Sequence, residues 1–397
     1  MAIYLDACAT APPAAEVLAA IAEASAKAWA NPSSLHGLGW AAAESLERSR
    51  AAIAAELGAA PQELVFTSGG SESVHLALLG LAERCAGPAA GQPPRLVISA
   101  LEHPAVEAAA ASLVRRGWSL ARWPVDGCGR LLPNWAESLL APPTRLVSLI
   151  WGQSEVGTLQ AIETIGAQCR AAGIPLHLDA VQVVGHQLID WATLPADLLS
   201  FTAHKLQGPR GIGGLLLRPG LEPAPQIGGG GQERGLRAGT EPVVLAAGFA
   251  AALALCQQRL RQHGGRDPIA QLRDPLLAAL LALPGVELSG PDPRLILAPE
   301  RLPHHISLTL ADRWGRALSG RALVQALWRQ GIAASSGSAC AGGGNRPAPS
   351  PVLLAMGYGA ESAASGLRLS LGPWLQPADL AVVPAALARA QAELEAR

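Results

Sequence analysis

The fold is decided by the stretch RLVSLIWGQSEVGTLQAIETIGAQCRAAGIPLHLDA, residues 145–180. An apolar run at 145–151 precedes a helical pattern at 161–173, and a second apolar run follows at 174–180. Neither apolar run alternates with polar residues, which is typical of strands buried on both faces of a parallel sheet. A strand, a helix and another strand in this order predict a βαβ unit.

The same alternation extends to both sides of this unit and predicts the α/β fold class. We expect a mainly parallel sheet in a large domain that covers residues 14–258. The other strand-like runs of this domain lie at 95–100, 197–203 and 212–218, and a further helical pattern lies at 105–116.

A smaller α/β domain is expected from residues 1–13 and 259–397. A Gly- and Pro-rich stretch within it, at about 336–351, predicts a surface loop. The strand-like runs of this domain lie at 304–310, 331–337 and 366–372.

Composition excludes several classes of protein. Half of the 397 residues are hydrophobic and the net charge is −1, with no run of like charges, so we expect neither nucleic acid nor an anionic membrane as partner. The longest apolar run, at 243–256, is too short to span a bilayer, and the N-terminus does not resemble a signal peptide. The six cysteines are scattered without a CxxC pair, which argues against a zinc site or a disulfide framework and favours a reducing cytoplasm.

One lysine stands out against this composition. Lys27 and Lys205 are the chain's two lysines, whereas the other basic residues are arginines. Arginine stays protonated and cannot form an imine, but a buried lysine amine can lose its proton and condense with an aldehyde. Lys205 follows a predicted strand in SFTAHKLQGPRGIGG, residues 200–214. It is therefore a candidate reactive amine, the alternative being a residual surface lysine.

Three more polar residues follow predicted strands: His103, Ser154 and Asp179. Ligands of open α/β sheets bind beyond the carboxyl ends of the strands, so these side chains and Lys205 predict one site. A buried Asp179 needs a cationic partner such as a protonated pyridine nitrogen, or else caps a helix. We expect His103 either to lie flat over the ring of a bound ligand or to be a histidine of the core. The turn TSGGSES, residues 67–73, suits an anion at a helix N-terminus.

With these residues in place, the whole chain resembles the cysteine desulfurases, pyridoxal-phosphate enzymes of the class V aminotransferase family with fold type I. The resemblance rests on motifs that occur together and in order along most of the chain. They are YLDACAT (4–10), NPSSLHGLG (31–39), VFTSGGSES (65–73), LEHPAV (101–106), EVGTLQ (155–160), HLDAVQVVGH (177–186), SFTAHKLQGPRGIGG (200–214), GGGGQERGLRAGT (228–240), SSGSACAGG (335–343) and GLRLSLG (366–372).

The resemblance implies a role for each residue of the site. Lys205 would form the Schiff base with the cofactor aldehyde, and Asp179 would pair with the ring nitrogen. His103 would stack on the ring and help to move protons, and Arg368 would clamp the substrate carboxylate. The remaining cofactor contacts would come from Gln182 at the ring hydroxyl, from Gly70, Ser71, Thr202 and His204 at the phosphate, and from Thr240 of the partner subunit in a homodimer.

The choice of reaction within the family depends on Cys340. A desulfurase needs a thiol that attacks the sulfur of bound L-cysteine and carries it away as a persulfide, leaving L-alanine. The long loop around Cys340 resembles that of the group that serves iron–sulfur scaffolds, so a sulfur-acceptor protein of that kind is the implied partner. Other readings remain open at this point: a class V aminotransferase, a cysteine or cystine lyase, or a catalytically weak scaffold.

The sequence also departs from the family's pattern. Gln153 and Ser154 stand where the family has two asparagines, the second of which contacts the cofactor ring and the substrate carboxylate. Ser154 has a shorter reach at this position, and the aminotransferase and lyase readings are favoured if this change spoils the desulfurase site. Cys8 and His75 also differ from the family's usual residues, and we expect Cys8 to have a packing role.

Replacement of Cys340 by alanine tests its assigned role. We expect the Cys340→Ala variant to keep the visible absorption of the bound cofactor, because the thiol does not hold it. The variant should release no sulfide from L-cysteine, since the sulfur has lost its acceptor. Absorption spectra and a sulfide assay measure the two properties, and wild-type turnover in the variant would refute the role.

Overall fold

The structure is a computed structural model that describes residues 2–84, 91–295, 300–337 and 349–396. Cys340 and most of its predicted loop lie outside the described residues. The described strands form three sheets. They are β1 Ile3–Tyr4, β2 Leu64–Thr67, β3 Arg95–Ser99, β4 Ser119–Trp123, β5 Thr144–Ile150, β6 Leu176–Asp179, β7 Leu198–Thr202, β8 Gly213–Leu217, β9 Val286–Leu288, β10 His305–Leu310, β11 Ile332–Ala333 and β12 Leu367–Ser370.

Helices separate most of these strands along the chain. They are α1 Ala15–Lys27, α2 Gly37–Glu56, α3 Gly70–Arg84, α4 Pro104–Arg115, α5 Ala136–Leu140, α6 Ile162–Ala171, α7 Val243–Gln262, α8 Ile269–Leu281, α9 Gly320–Arg329, α10 Pro351–Ala355, α11 Ala360–Ala363, α12 Pro377–Ala381 and α13 Val383–Glu395.

The largest sheet has seven strands in the order β2-β8-β7-β6-β5-β3-β4. Only β8 runs antiparallel to its neighbours, so the predicted α/β fold with a mainly parallel sheet is confirmed. Helices cover both faces: α3 and α4 pack on one, and α1, α2, α6 and α7 pack on the other. Successive strand residues therefore enter opposite cores, with Leu64 and Phe66 on one side and Val65 on the other.

Helix α7 contains the longest apolar run of the sequence. By length and composition alone it could cross a membrane, but half of its most apolar window is buried in the fold. Phe249, Leu253 and Leu260 are among the buried residues of α7, and the helix packs against α1 and α2. This burial is that of a core helix.

Two smaller sheets form around a separate core. Strands β9, β10 and β12 pair antiparallel, and β1 pairs parallel with β11. Leu5, directly after β1, is buried in the same apolar cluster as α8, α9 and α13. The N-terminal segment thus packs with the C-terminal part of the chain. The predicted domain boundary at residue 258 remains a prediction, and α7 is continuous across it.

The parallel strands bring their last residues to one edge of the large sheet. Ser99 ends β3, Ile150 ends β5, Asp179 ends β6 and Thr202 ends β7. Glu102 joins two of these ends, because its Oε1 accepts hydrogen bonds from the amides of Ser99 (3.1 Å) and Ile150 (2.9 Å). Its Oε2 is buried and has no partner among the described residues. Burial raises the pKa of Glu102 to about 8 despite these hydrogen bonds.

The raised pKa makes stability depend on pH in a defined direction. The folded chain keeps a proton on Glu102 that the unfolded chain releases near pH 4.5, so the free energy of unfolding falls as pH rises from there to about 8. The Glu102→Gln variant cannot ionise at this position. Its free energy of unfolding should therefore exceed that of the wild type by roughly 2–4 kcal/mol at pH 8 and match it near pH 5. Urea unfolding at both pH values measures this. The control variant Glu137→Gln, at an exposed position, should show the same pH dependence of the free energy of unfolding as the wild type. The same pH dependence in Glu102→Gln would contradict the burial argument.

A second buried carboxylate fixes the segment that leads to Thr240. Glu233 forms a paired salt bridge with Arg50, with two N–O distances of 2.8 Å, and its Oε2 also accepts the amide of Phe66. The side chains of Arg50 and Glu233 are only 5% and 2% exposed. Glu233 and Arg234 have the positive φ angles of 47° and 58°, which this anchored turn holds in place.

Loss of this pair should cost much more than loss of a surface pair. Glu233→Gln leaves the buried Arg50 charge with the exposed carboxylate of Glu47 as its remaining counter-ion, so we expect a loss of about 3 kcal/mol in the free energy of unfolding. Glu83→Gln, which breaks an exposed pair with Arg116, should cost less than about 1 kcal/mol. Urea denaturation of both variants provides the comparison, and equal losses would show that the buried pair adds nothing special.

Candidate active site

The candidate site lies at the carboxyl edge of the large sheet and is centred on Lys205. This residue ends a short 3-10 turn, Ala203–Lys205, directly after β7. Its Nζ donates hydrogen bonds to the backbone carbonyls of Cys8 and Ala9, the latter at 2.7 Å. Burial lowers the pKa of Lys205, and the positive charge of Arg368 acts in the same direction. The fold therefore favours the uncharged, nucleophilic form of this amine.

Asp179 and His103 lie within electrostatic range of each other and of Lys205. Asp179 is buried, and its Oδ1 accepts the amide of Val181 at 3.1 Å. Burial raises the pKa of the Asp179 carboxyl, and partial desolvation lowers the pKa of the His103 imidazole, although His103 is exposed on its outer side. His103 Nδ1 accepts the amide of Ala105 and caps α4, so its Nε2 remains for other partners.

The predicted phosphate residues converge at the start of α3. The amides of Gly70 and Ser71 have no acceptor within the described part of the chain, as expected for the first residues of a helix. Thr202 lies beside this turn, since a Cβ built on Gly69 would be 4.0 Å from Thr202 Oγ1. Burial and the positive charges of Lys205 and Arg210 lower the pKa of His204 to about 4. Donors without acceptors at a helix N-terminus suit an anion.

Arg368 reaches the site from β12 of the three-stranded sheet. Its Nη2 donates to Asp6 Oδ1 at 2.8 Å and its Nη1 to the backbone carbonyl of Ser154 at 3.1 Å. Its Nε is buried and has no partner among the described residues. The guanidinium thus retains a donor for an incoming carboxylate, and Asp6 already occupies part of the fork.

The Gln153–Ser154 pair behaves differently from an asparagine pair that faces a ligand. Gln153 is buried and turns inward, where its Nε2 donates to the carbonyl of Leu101 and its Oε1 accepts the amide of Val156. Ser154 contributes its backbone carbonyl, which accepts from Arg368 and from His305 Nε2 at 3.0 Å. Gln153 therefore holds the turn, and Ser154 helps to orient Arg368.

The two remaining predicted residues have different surroundings. Gln182 is buried, and its Nε2 donates to the carbonyl of Cys8 at 3.0 Å, the same carbonyl that receives Lys205. Thr240 is exposed, and no hydrogen bond joins its side chain to the other predicted residues in the described structure.

Both ends of the undescribed segment 338–348 lie near Glu155. A Cβ built on Gly337 would be 2.2 Å from Glu155 Oε1, so this position requires glycine. Burial raises the pKa of Glu155, whereas Ser350 and the charge of Arg368 act to lower it. The chain that carries Cys340 therefore starts and ends beside the Arg368 side of the site.

Sequence reasoning missed three contributors to this site: Asp6, His305 and the carbonyl of Cys8. The motif YLDACAT contains two of them, but a backbone acceptor leaves no trace in residue type. His305 is adjacent to a second histidine in the sequence, and this pair gave no signal of its own. Their roles depend on pairing between distant parts of the chain.

Comparisons with known proteins agree with this geometry. The family model described as aminotransferase class-V matches residues 3–383. The chain is 35% identical to cysteine desulfurase IscS of Methanosarcina thermophila, over 94% of this chain and 87% of that protein. It is 38% identical to an IscS-like cysteine desulfurase of Mycobacterium tuberculosis, over 98% and 97% of the two chains.

Solved structures give the same result. A NifS-like protein superposes with a TM-score of 0.87 at 29% identity and full coverage of both chains. A structure described as SspA in complex with cysteine superposes with a TM-score of 0.79 at 29% identity, over 94% of this chain and 100% of that one. The chain therefore belongs to the class V aminotransferase family, within the pyridoxal-phosphate-dependent cysteine desulfurases.

Proposed function

We propose that this protein binds pyridoxal phosphate and converts L-cysteine to L-alanine, passing the sulfur to Cys340. The observation that carries the proposal is the meeting of the Lys205 amine, the buried Asp179 carboxyl and the Arg368 fork at one sheet edge. A reaction of this kind needs an amine that can form an imine with an aldehyde and a carboxylate that can pair with a ring nitrogen. It also needs a guanidinium that can bind an α-carboxylate.

The residues of the site fit pyridoxal phosphate. Asp179 is buried without a hydrogen-bonded cation in the described structure, and a protonated ring nitrogen would repay its desolvation. The amides of Gly70 and Ser71 lack an acceptor that a phosphate would supply. The bound group supplies an electron-accepting ring, which stabilises negative charge on the α-carbon of the substrate.

Each residue then has a defined task. Arg368 binds the carboxylate of L-cysteine through the donors that Asp6 does not use. Lys205 Nζ, whose pKa burial lowers, accepts the proton from the α-carbon. His103 keeps Nε2 available for proton transfer at the outer side of the site.

Sulfur transfer follows at the Cys340 thiol. Its sulfur forms a bond to the substrate sulfur while the carbon–sulfur bond breaks, so that L-cysteine and a thiol become L-alanine and a persulfide. We infer that the persulfide passes to an acceptor protein such as an iron–sulfur scaffold in the cytoplasm. The resemblance of the loop to the scaffold-serving group supports this acceptor.

We also infer that the protein acts as a homodimer. Four large apolar side chains are exposed within residues 29–40: Trp29, Leu35, Leu38 and Trp40. Exposed apolar side chains clustered in this way favour an interface with another chain. Thr240 is exposed, which fits a role at the cofactor phosphate of a second subunit.

A second activity is favoured by one observation. Ser154 replaces the asparagine of the family, and no hydrogen bond of its side chain is present in the described structure, so the substrate is held differently. Class V aminotransferase or cysteine lyase chemistry would then yield a keto acid or pyruvate in place of alanine.

Product analysis of the purified holoenzyme tests the proposed function. With L-cysteine we expect alanine and protein-bound persulfide in equal initial amounts, because one sulfur leaves each substrate molecule. Chromatography of the products and mass spectrometry of the protein measure both. Lys205→Ala should lose the lysine-linked visible absorption and all turnover. Pyruvate or a keto acid as the main product would establish the second activity, and absence of the cofactor's colour would leave only a binding scaffold.

A further inference from the structure

The N-terminal segment next to Lys205 contains a buried cysteine that the proposed reaction does not use. The carbonyl of Cys8 accepts Lys205 Nζ and Gln182 Nε2, and the carbonyl of Ala9 accepts Lys205 Nζ at 2.7 Å. The resting amine therefore lies on two consecutive backbone acceptors. Whatever fixes these carbonyls also fixes the amine.

The side chain of Cys8 is anchored on the side away from these carbonyls. Its Sγ lies 3.3 Å from His304 Nε2, and its amide donates to Ser370 Oγ at 2.9 Å. Cys8 and His304 are 2% and 1% exposed. Burial raises the pKa of the Cys8 thiol and lowers that of the His304 imidazole well below its usual range, so both groups are neutral. The Cys8 thiol and His304 Nε2 therefore share a hydrogen bond between two neutral groups.

His304 is in turn held from behind by a second histidine. The rings of His186 and His304 stack with centroids 3.7 Å apart and planes at 15°. His186 Nδ1 donates to the Asp267 carboxylate at 2.7 Å, and that carboxylate also accepts from Arg259 at 3.5 Å. Burial acts to raise the pKa of Asp267, but the hydrogen bond and charge of His186 outweigh it and lower the pKa.

A continuous row of side chains thus runs from Asp267 to Cys8, joined by two hydrogen bonds and one ring stack. Asp267 Oδ1 accepts the amide of Ile269 at the start of α8, which ties the row to a rigid element. Packing alone does not explain this arrangement, because apolar side chains would fill the same space without the free-energy cost of removing three polar groups from water. The row ends on the residue that receives Lys205.

We propose that Cys8 and His304 are positioning residues, which hold the carbonyls of Cys8 and Ala9 against the Lys205 amine through their thiol–imidazole hydrogen bond. This role rests on the proposed function only in that Lys205 is taken as the reactive amine. The two carbonyls accept hydrogen bonds from the amine whenever it is not bonded to another group, and these hydrogen bonds stabilise its protonated form.

The charges around Lys205 define what a pH titration will report. The Cys8 thiol faces the amine and raises its pKa when ionised, and negative charge also faces it from Asp6 on the N-terminal segment and from Asp179 at the end of β6. Positive charge faces it from Arg368 on β12, and His103 and His204 lie within electrostatic range. None of these other groups is hydrogen-bonded to the Cys8 thiol in the described structure, so truncation of the thiol leaves them in place.

The scarcity of lysines makes the proposal directly measurable. Full-length protein freed of cofactor is treated with an amine-specific acylating reagent over a range of pH, and peptide mass spectrometry follows Lys205 and Lys27 separately. Lys27 is on the surface, with a side chain that is 74% exposed, and serves as the internal reference. The readout requires neither cofactor nor turnover, so it stands apart from the test of the proposed function.

We expect Cys8→Ala to lower the apparent pKa of Lys205 by about half to one unit, which raises its labelling rate roughly three- to tenfold below that pKa. His304→Leu should give a similar shift, and the double variant should show no further shift, because both changes remove the same contact. Cys169→Ala truncates a buried thiol of α6 and should leave Lys205 unchanged. Lys27 should label equally in all variants.

Thermal unfolding of each variant shows that the chain is folded before labelling. An unchanged Lys205 profile in folded Cys8→Ala or folded His304→Leu would overturn the proposal, and so would additive shifts in the double variant. A cofactor-free result that agrees with the proposal, combined with absent desulfurase activity in the wild type, would reject the proposed function alone.

Discussion

The buried carboxyl of Asp179 is the constraint on which the site depends. A carboxylate removed from water needs a cation, yet within the described chain its oxygens accept only the amide of Val181. His103 and Lys205 lie within electrostatic range, but burial disfavours the charged forms of both. The carboxyl at the end of β6 therefore has no hydrogen-bonded cation within the described chain, and a protonated ring nitrogen would supply one.

Much of this arrangement could be predicted from the sequence because strand ends are local features. The run IPLHLDA became β6 ending at Asp179, and DLLSFTA became β7 ending at Thr202, so the parallel connection brought both ends to one edge. The direction of β8 could not be predicted, since an apolar run does not reveal whether its neighbour is parallel. The expected strand at 331–337 shrank to Ile332–Ala333, because only those residues pair with β1.

The contacts that sequence reasoning missed all join distant parts of the chain. We expected only packing from Cys8, but its carbonyl receives Lys205 and its thiol meets His304, almost three hundred residues away. The resemblance implies that Gln182 contacts a ring hydroxyl, and in the described structure its amide donates to that same carbonyl. Such partners are selected by tertiary packing, and neither residue type nor periodicity records them.

The N-terminal segment serves both ends of the site at once. Asp6 neutralises Arg368, and Cys8 and Ala9, two and three residues further on, supply the carbonyls for Lys205. An amino acid that enters must bring its own carboxylate to the donors of Arg368 that Asp6 leaves free and its nitrogen to the neighbourhood of Lys205. An amine without a carboxylate, or a carboxylic acid without an amine, would interact at only one end of this short segment. The N-terminal segment therefore favours α-amino acids as ligands, independently of any side chain that contacts the sulfur.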